Sequence, residues 1–181
     1  WKNWPLAVDI TKKLNERIGD ALEVKMAVGC LDRKALENTR QMYTELRKML
    51  GNRFDGKVNI TLKEMDRFYY EIDVFILTSH HNTESFGRTL VEAMSRNTLV
   101  LTTNAGGSVE VVGDPKNVYT SADEFVERIV DLYNDRKKLE EEKTKNLVRV
   151  RETYSLNNNI EKHFELYSSI LRKGNSKGVE M

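Results

Sequence analysis

Short apolar runs recur along the chain, each separated from the next by a stretch long enough for a helix, and this alternation narrows the fold more than any other feature. The runs are Val24 to Val28, Val58-Asn59-Ile60-Thr61-Leu62, Asp73 to Leu77, Leu99 to Leu101 and Asn117 to Tyr119. Asp73 to Leu77 and Leu99 to Leu101 are apolar without alternation after Asp73, the pattern of strands covered on both faces. The intervening stretches carry helical periodicity instead. Leu6, Ile10, Leu14 and Ile18 share one face, as do Leu36, Thr39, Tyr43, Leu46 and Leu50. Strands alternating with helices predict an α/β fold, a Rossmann-like parallel sheet with helices on both faces.

Local signals place the boundaries. Pro5 suits a first helical turn, because its missing N–H costs little there. Gly29 closes the first strand and Gly51 stops the second helix. Lys63 to Tyr70 reads as a short helix, and Phe86 to Met94 as another, with Phe86, Leu90, Ala93 and Met94 on one side. Asn97 stands at its end, where a left-handed residue is often needed. Thr102 to Gly107 reads as a turn-rich loop. Ser121 with Glu124 forms a capping box for a helix carrying Phe125, Ile129, Leu132 and Tyr133. Arg136 to Tyr154 is a charged helix, and Ile160, Phe164, Tyr167 and Leu171 mark the last one. Residues 1–172 are expected to form one domain, and residues 173–181 a disordered tail. The chain opens beside a helix, Trp1-Lys2-Asn3-Trp4-Pro5, so the first strand of such a sheet is expected ahead of residue 1.

Composition removes several function classes. The 181 residues are 39% hydrophobic and 31% charged, with 29 Lys plus Arg against 28 Asp plus Glu. This balance offers no general attraction for nucleic acid. Cys30 is the single cysteine, which rules out an intrachain disulfide and agrees with a reducing, cytoplasmic location. No apolar run approaches membrane-spanning length. Metal-ligand spacing of Cys and His is absent, and so is a D-x-D pair, so no metal cofactor is expected.

In open parallel sheets, ligands bind at the carboxyl ends of strands. That rule selects three loops: Gly29-Cys30, Thr78 to Ser85, and Thr102 to Ser108. The second feeds directly into a helix, whose free backbone N–H groups and positive dipole end suit an anion such as a diphosphate. Gly87 lets a ligand approach the backbone there. Glu84 and Glu92 flank the helix start, and carboxylates accept hydrogen bonds from vicinal hydroxyls. Plain structural readings stand beside these. Glu92 follows Arg88 at i+4 and can form a surface ion pair, while Glu84 can serve the helix dipole. His80 and His81 lie in the same loop and are open to ligand contact or simple solvation. His163 reads as a surface residue of the last helix.

The stretch Glu84-Ser85-Phe86-Gly87-Arg88-Thr89-Leu90-Val91-Glu92-Ala93-Met94 resembles the E-x7-E motif of the family-4 retaining glycosyltransferases, enzymes of GT-B fold. Tyr70 to Ser79 resembles the strand before that motif. Ala105-Gly106-Gly107-Ser108-Val109-Glu110-Val111-Val112 resembles the glycine-pair loop after it. The resemblance implies that the chain is the C-terminal, donor-binding half of a GT-B enzyme that transfers sugar from a nucleotide-diphosphate sugar with retention. It implies that Glu92 binds ribose hydroxyls and Glu84 a hydroxyl of the donor sugar. The backbone at Ser85, Phe86 and Gly87 would meet the sugar and diphosphate, and Gly106 and Gly107 would let their loop pack close to the donor. Glu110 reads as structural.

Lys2-Asn3-Trp4-Pro5-Leu6-Ala7 resembles the residues that start at a diphosphate-neutralising lysine, which makes Lys2 the catalytic candidate beside Glu84, with an arginine partner expected upstream. Asn97 and Leu99 depart from that pattern, which usually has Gly and often Pro there. The resemblance implies an N-terminal acceptor-binding domain as partner, and leaves room for peripheral membrane association through that domain. Another GT-B enzyme, such as a nucleotide-sugar epimerase, and a non-enzymatic nucleotide-binding module remain the alternatives.

Overall fold

The computed structural model describes residues 2–175. Helix α1 runs Trp4–Ile18, with Pro5 in its first turn and Ala7, Ile10, Thr11 and Leu14 buried. Strand β1, Val24–Val28, follows. Helix α2, Arg33–Leu50, is capped by the Asp32 side chain on the Ala35 N–H and ends at Gly51, whose φ is 62°. Its periodic residues Thr39, Tyr43, Leu46 and Leu50 are the ones it buries, as the spacing predicts.

The next strand corrects the sequence reading. β2 spans Phe54–Val58, not Val58 to Leu62. It pairs with β1 in parallel, Val24 opposite Phe54 and Val28 opposite Val58. Gly56 inside this strand serves close packing: a Cβ there would lie 2.6 Å from the Tyr43 ring. Tyr43 fixes α2 to both strands, its hydroxyl donating to the Met26 carbonyl at 3.1 Å and the Lys57 carbonyl at 2.8 Å. The alternating run was misleading because Thr61 and Glu64 form a capping box. That box commits Leu62 to helix α3, Leu62–Tyr70.

Strand β3 is Val74–Leu77, and helix α4 is Arg88–Met94. The sequence reading began this helix at Phe86; Gly87 instead caps it in a left-handed conformation. Asn97 is left-handed, φ 58°, as its position predicts. Strand β4, Leu99–Thr103, is buried at every position and includes Thr102 and Thr103, which the sequence reading gave to a loop. Helix α5, Gly107–Val112, starts on the last residue of that loop and has no counterpart in the sequence reading. Strand β5, Val118–Tyr119, precedes α6, Ala122–Asn134, which carries the expected Ser121–Glu124 capping box. Backbone N–H groups of Thr120 and Ser121, with their hydroxyls, hold the Glu124 carboxyl down at about 2. Helices α7, Arg136–Thr153, and α8, Leu156–Asn175, are the last two elements among the described residues. Helix α8 runs to Asn175, into the segment expected to be a tail; residues 176–181 of that tail lie outside the described ones.

All strand pairs are parallel, in two groups, β1-β2 and β3-β4-β5. One core joins them: Met26 and Val28 cluster with Leu99, Leu101, α1, α2 and α6. Val100, on the opposite face of β4, clusters with α3, α4, α5 and Val150 of α7. Helices therefore cover both faces, as the unbroken apolar run of β4 requires. Among the described residues, no helix is long and apolar enough to cross a membrane.

Helix α8 leaves an apolar stripe in solvent. Leu156, Ile160, Phe164, Tyr167 and Leu171 are exposed, and the least exposed of them, Ile160, is 45% accessible. A patch of this kind promotes association. Light scattering on the chain should show mass rising with concentration, and Phe164→Glu with Tyr167→Glu should suppress the rise. A strictly monomeric parent chain at high concentration would count against this expectation.

Candidate functional site

Three chain segments meet at the carboxyl end of β3. The first is the entry to α1. Asn3 there is left-handed, φ 49°, and its carbonyl accepts from the Leu6 N–H at 3.0 Å. The buried Thr78 hydroxyl donates to the Lys2 carbonyl at 2.9 Å, which seats the helix entry on the strand end. The second segment is the loop Thr78 to Gly87. The third is the turn from Thr103 into α5.

Backbone pairing locks the second and third together. The Glu84 N–H donates to the Ala105 carbonyl at 2.8 Å, and the Gly107 N–H donates to the Glu84 carbonyl at 2.9 Å. This is a parallel bridge between Glu84 and Gly106. The glycine pair is what permits it. Gly106 has φ +98°, and a Cβ there would come 2.7 Å from the Glu84 carbonyl oxygen. A Cβ on Gly107 would overlap the Ser85 carbonyl oxygen. The first neighbour of the glycine pair is thus the backbone of the glutamate loop. Ser108, fully buried, donates to the Thr103 carbonyl at 3.1 Å and closes the turn.

The carboxylate of Glu84 sits at this junction. It accepts from the Lys2 ammonium and, at 2.6 Å, from the buried Ser79 hydroxyl. Burial opposes its charge, but the Lys2 and Ser79 hydrogen bonds and the lysine charge outweigh burial, so its pKa lies below the ordinary 4.5. The charged form is favoured in the folded chain. This contribution to stability is complete above pH 4.5 and is lost as pH falls through the lower folded-state value.

Glu92 is held separately. It lies on α4, accepts from the Tyr69 hydroxyl at 3.0 Å, and pairs with Arg88 at 3.2 Å. Burial, then the neighbouring Glu92 charge, pushes the Tyr69 hydroxyl well above its usual range, so it stays a donor. Ser85 and Phe86 are exposed on the same loop, while Gly87 is buried with φ +86°. The structure therefore joins Lys2, Glu84, Gly106 and Gly107, and sets Glu92 apart on α4, against Tyr69 of α3. Of the two histidines, His81 reaches the Asn104 carbonyl at 2.9 Å and His80 is exposed. The Gly29-Cys30 loop is tied elsewhere: the Asn59 side-chain oxygen accepts from the Cys30 N–H at 2.7 Å. Sequence reasoning missed Ser79 and Tyr69, whose side chains orient the two glutamates; a serine and a tyrosine inside ordinary elements carry no signal of that task. Among the described residues, no group of three or more His, Cys, Asp or Glu is placed to hold a metal.

A parallel sheet covered on both faces, with its loops gathered at the strand carboxyl ends, is the architecture of the C-terminal Rossmann-like domain of GT-B glycosyltransferases. A glycosyltransferase from Rickettsia africae ESF-5 superposes with a TM-score of 0.76 at 23% identity, over 94% of this chain and 45% of that one. The C-terminal domain of a glycosyl transferase group 1 family protein (LpcC) from Francisella tularensis superposes with a TM-score of 0.70 at 18% identity, over 86% of this chain and 80% of that domain. Anabaena Alr3699/HepE, in complex with UDP-glucose, gives 0.65 at 20% identity, over 90% of this chain and 53% of that one.

The sequence goes further than the shape. Residues 2–149 match the glycosyl transferases group 1 family, and the chain belongs to it. The 2-deoxystreptamine N-acetyl-D-glucosaminyltransferase of Niallia circulans is 29% identical over 131 residues, 68% of this chain and 32% of that protein. Spore coat protein SA of Bacillus subtilis is 35% identical over 83 residues, 43% of this chain and 22% of that protein. The chain thus spans about a third or less of these relatives' length.

Proposed function

We propose that this chain is the donor-binding domain of a retaining glycosyltransferase that takes a nucleotide-diphosphate sugar. The observation that carries the reading is the Glu84 carboxylate, kept charged at the carboxyl end of β3 by Lys2 and Ser79 and bridged to the glycine-pair turn. Such a carboxylate can take a sugar hydroxyl, and an ammonium beside it can meet phosphate oxygens. Solved relatives of the same fold support a nucleotide-sugar ligand, since Anabaena Alr3699/HepE is complexed with UDP-glucose and with UDP.

Residue roles follow. Glu84 holds the donor sugar and Glu92 the ribose hydroxyls. The backbone of Ser85, Phe86 and Gly87 lines the approach to the diphosphate. Lys2 shifts from Glu84 toward the diphosphate as the bond to the sugar breaks, so that charge developing on the leaving group meets a cation. Helix α4 contributes little dipole with 7 residues; α1, with 15, opens beside Lys2 and adds the larger field. The acceptor site belongs to a second domain. We further propose a strand ahead of α1, lying between β1 and β3. Among the described residues each of those strands has one paired neighbour, both pack into the core containing α1, and a right-handed crossover through α1 would connect the new strand to β1.

A thermal-shift screen of nucleotide sugars on the chain tests the reading; stabilisation by none of them would count against it. Binding is expected to need no divalent metal. Titration of UDP-glucose with and without EDTA checks this, and a loss of tenfold or more, about 1.4 kcal/mol, would overturn it.

A further inference from the structure

The last turn of α7 reaches across to the glutamate loop and to α5 together. Arg149 donates from Nε to the Val111 carbonyl at 2.9 Å and from Nη2 to the Glu110 carbonyl at 2.6 Å. These are carbonyls of the last turn of α5, which a short helix leaves without intrahelical partners. The Tyr154 hydroxyl donates to the same Glu110 carbonyl at 3.3 Å. The Arg149 guanidinium lies over the Tyr154 ring, 5.9 Å from its centroid. The same ring meets Phe86, centroids 5.5 Å apart and planes at 81°, a favourable edge-to-face geometry. Phe86 itself is 43% exposed.

From this arrangement we infer that Arg149 and Tyr154 are positioning residues for the donor site. Arg149 fixes the far end of α5, the helix whose near end is the Gly106-Gly107 turn. Tyr154 fixes Phe86, two residues beyond Glu84. The two ends of the Glu84–Gly106 bridge are therefore tied to Arg149 and Tyr154, at the end of α7 and its cap, and neither residue needs to touch the ligand to set the loop geometry. Gly113 belongs to the same joint. It ends α5 with φ +68°, and a Cβ there would overlap the Arg149 guanidinium. The inference rests on the donor-binding reading for its functional half, but its geometric half stands on this chain alone.

The test compares Tyr154→Ala, Tyr154→Phe and Arg149→Met with the parent chain. Amide exchange is measured at Glu84 and Gly107, whose N–H groups form the bridge, and at β1 and α2 as distant controls. Tyr154→Ala should speed exchange at the bridge by about two- to tenfold, the range one aromatic pair supports, with β1 and α2 unchanged. Tyr154→Phe keeps the ring against Phe86 and should restore most of the protection. Arg149→Met should speed exchange at Gly107 and through α5. UDP-glucose affinity should fall in parallel in Tyr154→Ala and recover in Tyr154→Phe. Exchange that rises uniformly across the chain, or a bridge unmoved by all three changes, overturns the proposal. If the parent chain binds neither UDP nor UDP-glucose, the donor reading fails, and the exchange pattern still decides whether the positioning turn exists.

Discussion

Glu84→Ala should weaken binding of a nucleotide sugar while leaving the free nucleotide's affinity unchanged, and Glu92→Ala should weaken both. The asymmetry follows from the proposed roles, since only Glu84 meets the transferred sugar. A hydrogen bond to a charged group contributes roughly 1.5–3 kcal/mol, about tenfold to more than a hundredfold in affinity. The partners of each carboxylate predict secondary effects. Removing Glu84 takes the acceptor away from the buried Ser79 hydroxyl and the anion away from Lys2, so some stability is lost as well. Removing Glu92 costs the Tyr69 hydroxyl its acceptor.

If Glu92 serves only Arg88, which is 83% exposed, and the buried Tyr69 hydroxyl, its removal should cost about 1–3 kcal/mol of stability for the orphaned hydroxyl and no affinity. Calorimetric titration of both variants with nucleotide and with nucleotide sugar separates these cases. Unchanged affinity in all four titrations would falsify the site assignment. In an enzyme carrying the acceptor domain, Glu84→Ala should lower turnover too, if its contact tightens as the sugar gains positive charge.

Glu142→Ala should destabilise the fold by up to about 3–5 kcal/mol, the cost of breaking a buried ion pair by removing one partner. Arg128 and Glu142 are each 11% exposed in their side chains and lie 3.2 Å apart. Arg128 also reaches the Asn117 side-chain oxygen at 3.3 Å and Asp131 at 3.4 Å, yet its Nε has no hydrogen-bond partner, nor has Nδ2 of Asn146. A buried network satisfied only in part costs more than it returns. Removing both charges together should behave differently: Arg128→Met with Glu142→Leu should be neutral or more stable by roughly 1–4 kcal/mol. Urea unfolding of the single and double variants measures both effects. A single variant that loses under about 1 kcal/mol, below that buried-pair cost, would show that Asp131 already compensates the guanidinium.

Hydrophobic spacing alone determined most of the architecture, because burial on one helix face or on both strand faces leaves a periodic trace. The faces of α1 and α2, the bounds of β1 and the covered strand β4 were legible for this reason, and so was the capping box of α6, which is written in two residues three apart. The E-x7-E stretch and the glycine pair were legible as a resemblance, and their neighbours in sequence placed them at strand ends.

Only the tertiary structure could decide what depends on contacts between distant segments. β2 was misplaced because the reason for Gly56 is the Tyr43 ring, 13 residues away in sequence and adjacent in space. Helix α5 was hidden because its glycine start reads as a loop until the Glu84 carbonyl is seen against it. The charge state of Glu84 rests on Lys2, 82 residues earlier. Residues such as Ser79, Tyr69, Arg149 and Tyr154 orient the site through hydrogen bonds and ring contacts that have no period and no motif. Local propensity records what a residue buries, whereas its partner is fixed only when the chain closes on itself.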